Sequence, residues 1–397
     1  MPTSRRLDLV LLGATGFAGA LTAEHLAAHA PAGLRWALAG RDLASLERLR
    51  TRLAETTCPP SEVLHADVTD ATTIRDLAAS TRLVITTVGP YLRHGEAVVA
   101  ACAAAGTDYV DLTGEAEFVD RTYLRHHETA VRTGARLVHC CGFDSVPHDL
   151  GVQFTVEHLP DDVPLTVRGV VRSSAAFSGG TFHSALGAVS RMKQAKATAR
   201  ERRTQEPRPE GRSSRAVAPR PQRDPVLRYW LLPLPTVDPM IVARSGAALD
   251  SYGPRFTYSH HAGTKTLPMA LAGVVGVGGL VVAAQVPAVR RALAARVPAG
   301  SGPSEEKRER SWFTVDFVGD GGGKRVHTRV SGGDPGYSET AVMLAESALS
   351  LLLDDNPTTA GQVTTAVAMG PNLRARLVSH GMRFEVVEEW EHLPPNA

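Results

Sequence analysis

The stretch Leu7-Asp8-Leu9-Val10-Leu11-Leu12-Gly13-Ala14-Thr15-Gly16-Phe17-Ala18-Gly19 decides the fold. Five of its first six residues are apolar, and the run stops at a glycine. A parallel strand covered on both faces reads this way, because neither face meets water. Glycines recur at 13, 16 and 19, and residues 17–30 continue as a helix rich in alanine and leucine. Strand, glycine turn and helix in that order are the setting in which glycines mark a dinucleotide site. Gly13 permits a φ closed to other residues. Gly16 admits a pyrophosphate close to the backbone, and Gly19 lets the helix lie against the strand. The N–H groups at the helix start then attract an anion. The turn therefore offers Gly13, Ala14, Thr15, Gly16, Phe17 and Gly19 as cofactor contacts. Its spacing is G-x-x-G-x-x-G, so taken alone it also fits a tight connection that binds nothing.

Working outward, residues 35–39 form a second strand ending in Ala39-Gly40-Arg41-Asp42. An NAD site places an acid here for the ribose 2′-hydroxyl. Glycine leaves room instead, and Arg41 either offers a fork of donors to a phosphate, which favours NADP(H), or is a surface residue in a turn. Asp42 caps the helix that follows. A third strand over 62–66 leads to Asp67, which either faces the adenine or caps the helix at 71–80. Strand four, 83–88, is broken by Gly89-Pro90-Tyr91. Strand five, 107–112, ends in Thr113-Gly114-Glu115, and strand six, 136–140, leads to Gly142-Phe143-Asp144-Ser145-Val146-Pro147-His148-Asp149. Six such alternations predict an α/β fold with a doubly wound parallel Rossmann sheet, strand order 3-2-1-4-5-6. Its carboxyl-end loops gather 13–19, 87–91, 113–115 and 142–145 at one crevice. Val88, Gly89, Pro90, Tyr91, Gly114 and Glu115 then pass the nicotinamide side of the cofactor.

Bulk properties narrow the class. A chain of 397 residues with 43% hydrophobic content supports two domains with real cores. A net charge of +2 gives no global field for nucleic acid. Cys58, Cys102, Cys140 and Cys141 lack metal-ligand spacing, and the adjacent His126 and His127 face different ways on a helix, so no metal site is expected. Reduced thiols and a short polar start that runs straight into strand one predict a cytoplasmic protein without a signal peptide.

These motifs together resemble the saccharopine dehydrogenase-like oxidoreductases. The resemblance rests on Gly13–Gly19, Ala39-Gly40-Arg41, Val88-Gly89-Pro90-Tyr91, Tyr109-Val110-Asp111-Leu112-Thr113-Gly114-Glu115 and Gly142-Phe143-Asp144-Ser145-Val146-Pro147. Ser178-Gly179-Gly180-Thr181, Asp334-Pro335-Gly336-Tyr337 and Thr364-Thr365-Ala366-Val367-Ala368-Met369-Gly370 extend it to nearly the whole chain. Within that family the chain is most similar to the trans-acting enoyl reductase branch of actinobacteria. The resemblance implies an NADP-binding domain, a second α/β domain, and reduction of a carbon–carbon double bond in glycolipid or polyketide-lipid assembly. Family members often carry proline after the threonine where this chain has Thr365-Ala366, a departure expected to loosen a turn.

The expected organisation is an NADP-binding domain over 1–150, a substrate domain of α+β type over 151–335, and C-terminal helices over 336–397 that return to the first domain. In the second domain, strands are expected at 163–173, 237–243 and 255–260, a helix at 181–196, a polar linker at 301–309, a hairpin over 311–331 and a last strand at 383–389. Residues 193–224 hold ten Lys/Arg against four Asp/Glu and several prolines. They read as a solvated loop, or as a basic lid for an acyl carrier, a CoA phosphate or anionic lipid. Residues 267–286 carry no charge. They read as a bilayer span, as a lipid-contacting or tunnel-lining segment, or as a core helix. Arg290, Arg291 and Arg296 follow on a helix suited to the anionic inner face of the plasma membrane.

No tyrosine here has lysine four residues later, so the usual alcohol-dehydrogenating pair is absent. Tyr91, Glu115, Asp144 and Ser145 are the polar candidates near the crevice. Tyr91 is a proton donor, a ring stacked on nicotinamide or a packed aromatic; Glu115 orients nicotinamide or caps its helix. Three functions stand: an NADPH-dependent enoyl reductase of a lipid intermediate, an NADP-bound sensor without turnover, and a reductase of saccharopine type acting on an amino acid. The expected partners are a small-molecule or acyl-carrier-bound lipid, an anionic membrane surface and a second copy of the chain in a homodimer.

Overall fold

The computed structural model describes residues 5–174, 190–218, 220–285, 289 and 303–391. Strands β1 (Leu7–Leu12), β2 (Trp36–Gly40), β3 (Glu62–His65), β4 (Thr81–Thr86), β5 (Asp108–Asp111) and β6 (Arg136–Val138) run parallel in the order 3-2-1-4-5-6. The apolar run of β1 feeds both faces of the sheet. Leu9 and Leu11 join one buried cluster, while Val10 and Leu12 join the other. Truncating one such leucine to alanine costs about 2–5 kcal/mol, because the packed surroundings collapse only partly.

The C-terminal residues serve both halves of the molecule. Gly361–Val363 adds a seventh parallel strand beside β6 in the first sheet, which the sequence reading lacks. The helix Ser338–Leu353 packs on the helix Phe17–His29 and on β4 and β5. The last strand, Arg383–Trp390, instead joins the second sheet.

That sheet has eight strands. After β7 (Leu165–Ser173) come β8 (Ser213–Ala216), β9 (Gln222–Arg223), β10 (Trp230–Pro233), β11 (Arg255–Thr264), β12 (Phe313–Gly321) and β13 (Lys324–Gly332); with β14 (Gly361–Val363) in the first sheet, the last strand is β15. The order is β15-β13-β12-β7-β11-β10-β9, with β8 also on β11. The hairpin β12–β13 forms over the glycine turn as the alternating pattern predicts. The helix Val146–Val156 lies on this sheet, and a side chain at Gly151 would come within 2.4 Å of Phe317. Glycine is what allows so close a helix–strand contact.

Three sequence expectations change. The strand expected at 237–243 is the helix Asp238–Ala248, started by Asp238 with proline second. β-branched residues suggested a strand, but the Asp-Pro start and tertiary packing govern. The basic region 193–224 is largely exposed, as expected, but it is not a loop. It contains the helix Met192–Gln205 and two short strands. Arg191 pairs with Glu117, and buried Arg202 pairs with Asp120, on the helix Ala116–Thr133. Within the expected linker, Glu305–Glu309 is a helix.

Residues 267–285 are helical, and among the described residues no helix is long and apolar enough to cross a membrane. The bilayer-span reading is therefore dropped. Ala270 is buried, whereas Leu267, Met269, Leu271 and Val275 are exposed. Ser178–Thr181 and Arg290, Arg291 and Arg296 lie outside the described residues.

Candidate active site

The glycine turn has the geometry its spacing requires. Gly13 has φ +90°, and a Cβ there would meet Thr87 Oγ1 at 2.7 Å and Val88 Cγ2 at 2.8 Å. A Cβ on Gly19 would lie 2.3 Å from the Gly13 carbonyl. Any larger residue would push the helix off the sheet. Gly16 begins the helix without a side-chain acceptor for its first N–H groups. Those donors and the exposed Thr15 and Gly16 suit an anion at the positive end of the helix. Ala14 is buried beneath them. Phe17 packs edge-on against Tyr337, ring centroids 4.6 Å apart, with Arg308 5.3 Å from its centroid. The Asp334-Pro335-Gly336-Tyr337 motif thus reaches the turn from the far end of the chain. Asp334 holds it there by accepting from the N–H groups of Tyr337 and Ser338, each at 3.1 Å.

At the end of β2, Gly40 has only Leu46 near its absent side chain, at 3.8 Å. Arg41 beyond it is exposed and makes no hydrogen bond or ion pair among the described residues. Asp42 caps the next helix through the Ser45 N–H at 3.0 Å, so its carboxylate does not compete for the space above Gly40. Asp67 caps no helix; Asp70 does that for Ala71–Ser80. Asp67 closes a turn onto Thr69, and those hydrogen bonds, with help from Arg41, hold its carboxyl below the usual range.

The next two loops are tied together by buried carboxylates. Asp111 accepts from the N–H groups of Thr113 and Cys140, each at 3.0 Å, and from the Tyr109 hydroxyl at 2.8 Å, and pairs with His139 at 2.6 Å. Glu115 accepts from the N–H groups of Tyr91 and Leu92 at 2.9 and 3.0 Å. It therefore caps the short helix Tyr91–His94 rather than acting toward its own helix. The Tyr91 hydroxyl donates to the Thr86 carbonyl at 3.0 Å and accepts from the Leu112 N–H at 3.2 Å. Burial raises its pKa well above the usual tyrosine value. Both side chains are thereby committed to backbone, which accounts for them as loop supports. The geometry lends nothing to a proton-donor role for Tyr91.

Asp144 stands differently. A Cβ on Gly114 would lie 2.9 Å from its Oδ2, so its carboxyl abuts the Thr113–Glu115 turn. Loss of hydration, and then the charge of Asp238, pushes its pKa up to about 7. Asp238, buried at the start of its helix, lies 3.6 Å from His148 Nε2 and 3.5 Å from His260 Nε2, and accepts from Thr236 Oγ1. The two imidazole rings are 4.9 Å apart, and Tyr258 bonds His260 Nδ1 at 2.9 Å. Burial pushes both His148 and His260 down to about 3, so they are neutral near pH 7. Ser145 Oγ, His148 Nδ1, Asp238 Oδ1 and His260 Nε2 are buried without a hydrogen-bond partner among the described residues. Native structures rarely leave so many such atoms together, and a cluster of them marks a functional site.

His148, Asp238 and His260 had no role in the sequence reading. They come from three segments far apart in the chain. The available signal was Thr236-x-Asp238-Pro239, a helix start that puts a carboxylate at a defined point. His148, Asp238 and His260 also have the makeup of a metal-ligand set, with donor atoms within 4.8 Å of one another. Ala366, at the departure from the family pattern, donates its N–H to Asp149 at 2.8 Å. Proline would lack that donor, so the departure adds a hydrogen bond instead of loosening the turn.

Fold and site define an NADP(H)-dependent oxidoreductase built on a Rossmann sheet with a second, mixed sheet. A family model described as the saccharopine dehydrogenase NADP-binding domain matches residues 9–138. The chain belongs to the saccharopine dehydrogenase-like oxidoreductases, in the trans-acting enoyl reductase branch. It is 39% identical to the Mycobacterium tuberculosis protein Rv2449c, which is provisionally named a trans-acting enoyl reductase, over 96% of this chain and 98% of that one. It is 36% identical, with the same coverage, to a Mycobacterium bovis protein named trans-acting enoyl reductase. Apo saccharopine dehydrogenase (L-Glu forming) from Saccharomyces cerevisiae shares the fold, with TM-score 0.57 and 13% identity over 96% of this chain and all of that one.

Proposed function

We propose that this enzyme uses NADPH to reduce the carbon–carbon double bond of an enoyl group in a lipid or polyketide-derived intermediate, with Asp144 as the proton donor. The observation that carries the proposal is the Asp144 carboxyl set against the Gly114 turn, where lost hydration and the charge of Asp238 push its pKa up. NADPH, when bound, supplies a hydride for the carbon remote from the carbonyl. Asp144 delivers a proton to the neighbouring carbon, so the product gains two hydrogens and the Asp144 carboxylate is left to be reprotonated. A general acid works best with a pKa near the working pH, which an exposed aspartate lacks. Lost hydration and then the charge of Asp238 keep that pKa high.

The cofactor contacts we assign are the 13–19 turn for the pyrophosphate, Arg41 for the 2′-phosphate, Asp67 for the adenine side, and 88–91 with 114–115 for the nicotinamide half. The exposed apolar side chains of Leu267, Met269, Leu271 and Val275 favour an acyl chain or lipid surface over a multiply charged amino acid.

The test is NADPH oxidation by purified protein with enoyl thioesters of increasing chain length, followed by mass analysis for a product two hydrogens heavier. Because the protonated carboxyl is the donor, kcat is expected to be flat below pH 6 and to fall about tenfold per unit above pH 8. Absence of turnover with every enoyl thioester would leave the non-catalytic, NADP-bound reading. Turnover that rises with pH would remove Asp144 as the acid.

A further inference from the structure

A second cluster lies outside the crevice. His25 and His29 stand one turn apart on the helix Phe17–His29, and His380 follows the helix Gly370–Ser379. A ring nitrogen from each of the three lies within 4.8 Å of the other two. Their ring centroids are 4.5 to 4.8 Å apart. Beneath them is the buried carboxylate of Glu346, on the helix Ser338–Leu353. Its Oε1 is 2.7 Å from His25 Nε2 and 3.1 Å from His380 Nε2, while Arg376 holds its Oε2 at 3.0 Å. His29 is exposed, so an ion has a path from solvent.

We propose that His25, His29 and His380, with Glu346 beside them, form a site for a divalent transition metal of the zinc class. The donor chemistry favours this over calcium or magnesium, which select oxygen ligands. Zinc–nitrogen bonds of about 2.1 Å place tetrahedral ligand atoms about 3.4 Å apart. Side-chain rotations of about an ångström would close the three imidazoles to that spacing. Glu346 supplies the negative charge beside the rings and fixes the orientation of two of them, as carboxylates do at histidine metal sites. Simple packing explains the cluster less well. Three rings with nitrogen donors converge beside one buried carboxylate. An ion would draw the same three rings together.

The placement gives the site a task. Residues 25 and 29 belong to the helix whose other end is the glycine turn; 346 and 380 belong to the C-terminal helices. A bound ion would staple the first helix of the nucleotide sheet to the end of the chain. The site needs neither substrate nor cofactor, so it stands or falls apart from the proposed reaction.

The experiment uses the full chain without a histidine tag, stripped with chelator. Zinc is titrated calorimetrically, and cobalt(II) is used as an optical probe of tetrahedral geometry. One equivalent is expected to bind and to raise the Tm. His29→Gln, an exposed change that spares the fold, is expected to weaken binding by about 100-fold, and His380→Gln likewise. His148→Gln, in the buried cluster of the crevice, is expected to leave binding unchanged. No stoichiometric binding to the parent, or equal binding to His29→Gln and His380→Gln, would overturn the proposal. So would loss of binding on His148→Gln alone.

Discussion

The glycine turn at 13–19 and the cluster of Asp144, His148, Asp238 and His260 are built in opposite ways. The turn is backbone: Gly13 at positive φ, Gly19 against a carbonyl, and a helix start with no side-chain cap. It lies open to solvent at Thr15 and Gly16. The cluster is side chain: two aspartates and two histidines, mostly buried, with three polar atoms lacking partners among the described residues. A charged cofactor must be met by donors that stay exposed and do not titrate. A proton donor at neutral pH must be dehydrated, or its pKa stays near that of free aspartate. The two demands are incompatible in one segment, so the fold splits them between a local turn and a tertiary assembly.

Three substitutions probe that division, and the first is expected to have the largest effect. Asp144→Asn removes the proton while keeping the shape, and should lower kcat about 1000-fold in an NADPH oxidation assay. NADPH affinity should stay within about threefold, because the turn is untouched. A loss of affinity as large as the loss of turnover would merge the two regions. Next, Arg41→Gln should weaken NADPH binding about 10- to 100-fold by fluorescence titration, the loss of a charge-assisted contact. NADH binding should hardly change; an equal loss for both would remove Arg41 from the phosphate role. The smallest effect on turnover belongs to Tyr91→Phe. It deletes a buried hydroxyl that satisfies the Thr86 carbonyl and the Leu112 N–H, so stability by denaturant titration should fall about 1–3 kcal/mol. Its kcat should stay within about twofold, whereas a 100-fold fall would restore Tyr91 as the acid.

The nucleotide half was legible because its signals are local. A strand buried on both faces, a turn requiring glycine and a helix cap at Asp42 each depend on a few consecutive residues. The second half was legible only where such signals recur, as in the hairpin over Gly321-Gly322-Gly323. The stretch 237–243 misled because Val237, Ile241 and Val242 favour strand, yet packing on neighbouring elements sets it as helix. The basic region misled over its helix and over one arginine, while most of its other basic side chains are exposed. Arg202 instead finds Asp120, a partner 82 residues away, and no composition argument reveals that.

Sequence alone was enough for the Rossmann half of this protein and for its NADP(H) cofactor. Backbone geometry and helix dipoles are properties of short segments, so a short segment displays them. Only the fold raises one carboxyl, Asp144, to a pKa at which it holds a proton near neutral pH and can still release it. Asp67, Asp111, Asp144 and Asp238 are alike as letters. Hydrogen bonds from Thr69, with Arg41 nearby, keep Asp67 low, while burial beside Asp238 lifts Asp144. A pKa belongs to surroundings, and those surroundings here are assembled from residues that only folding brings together.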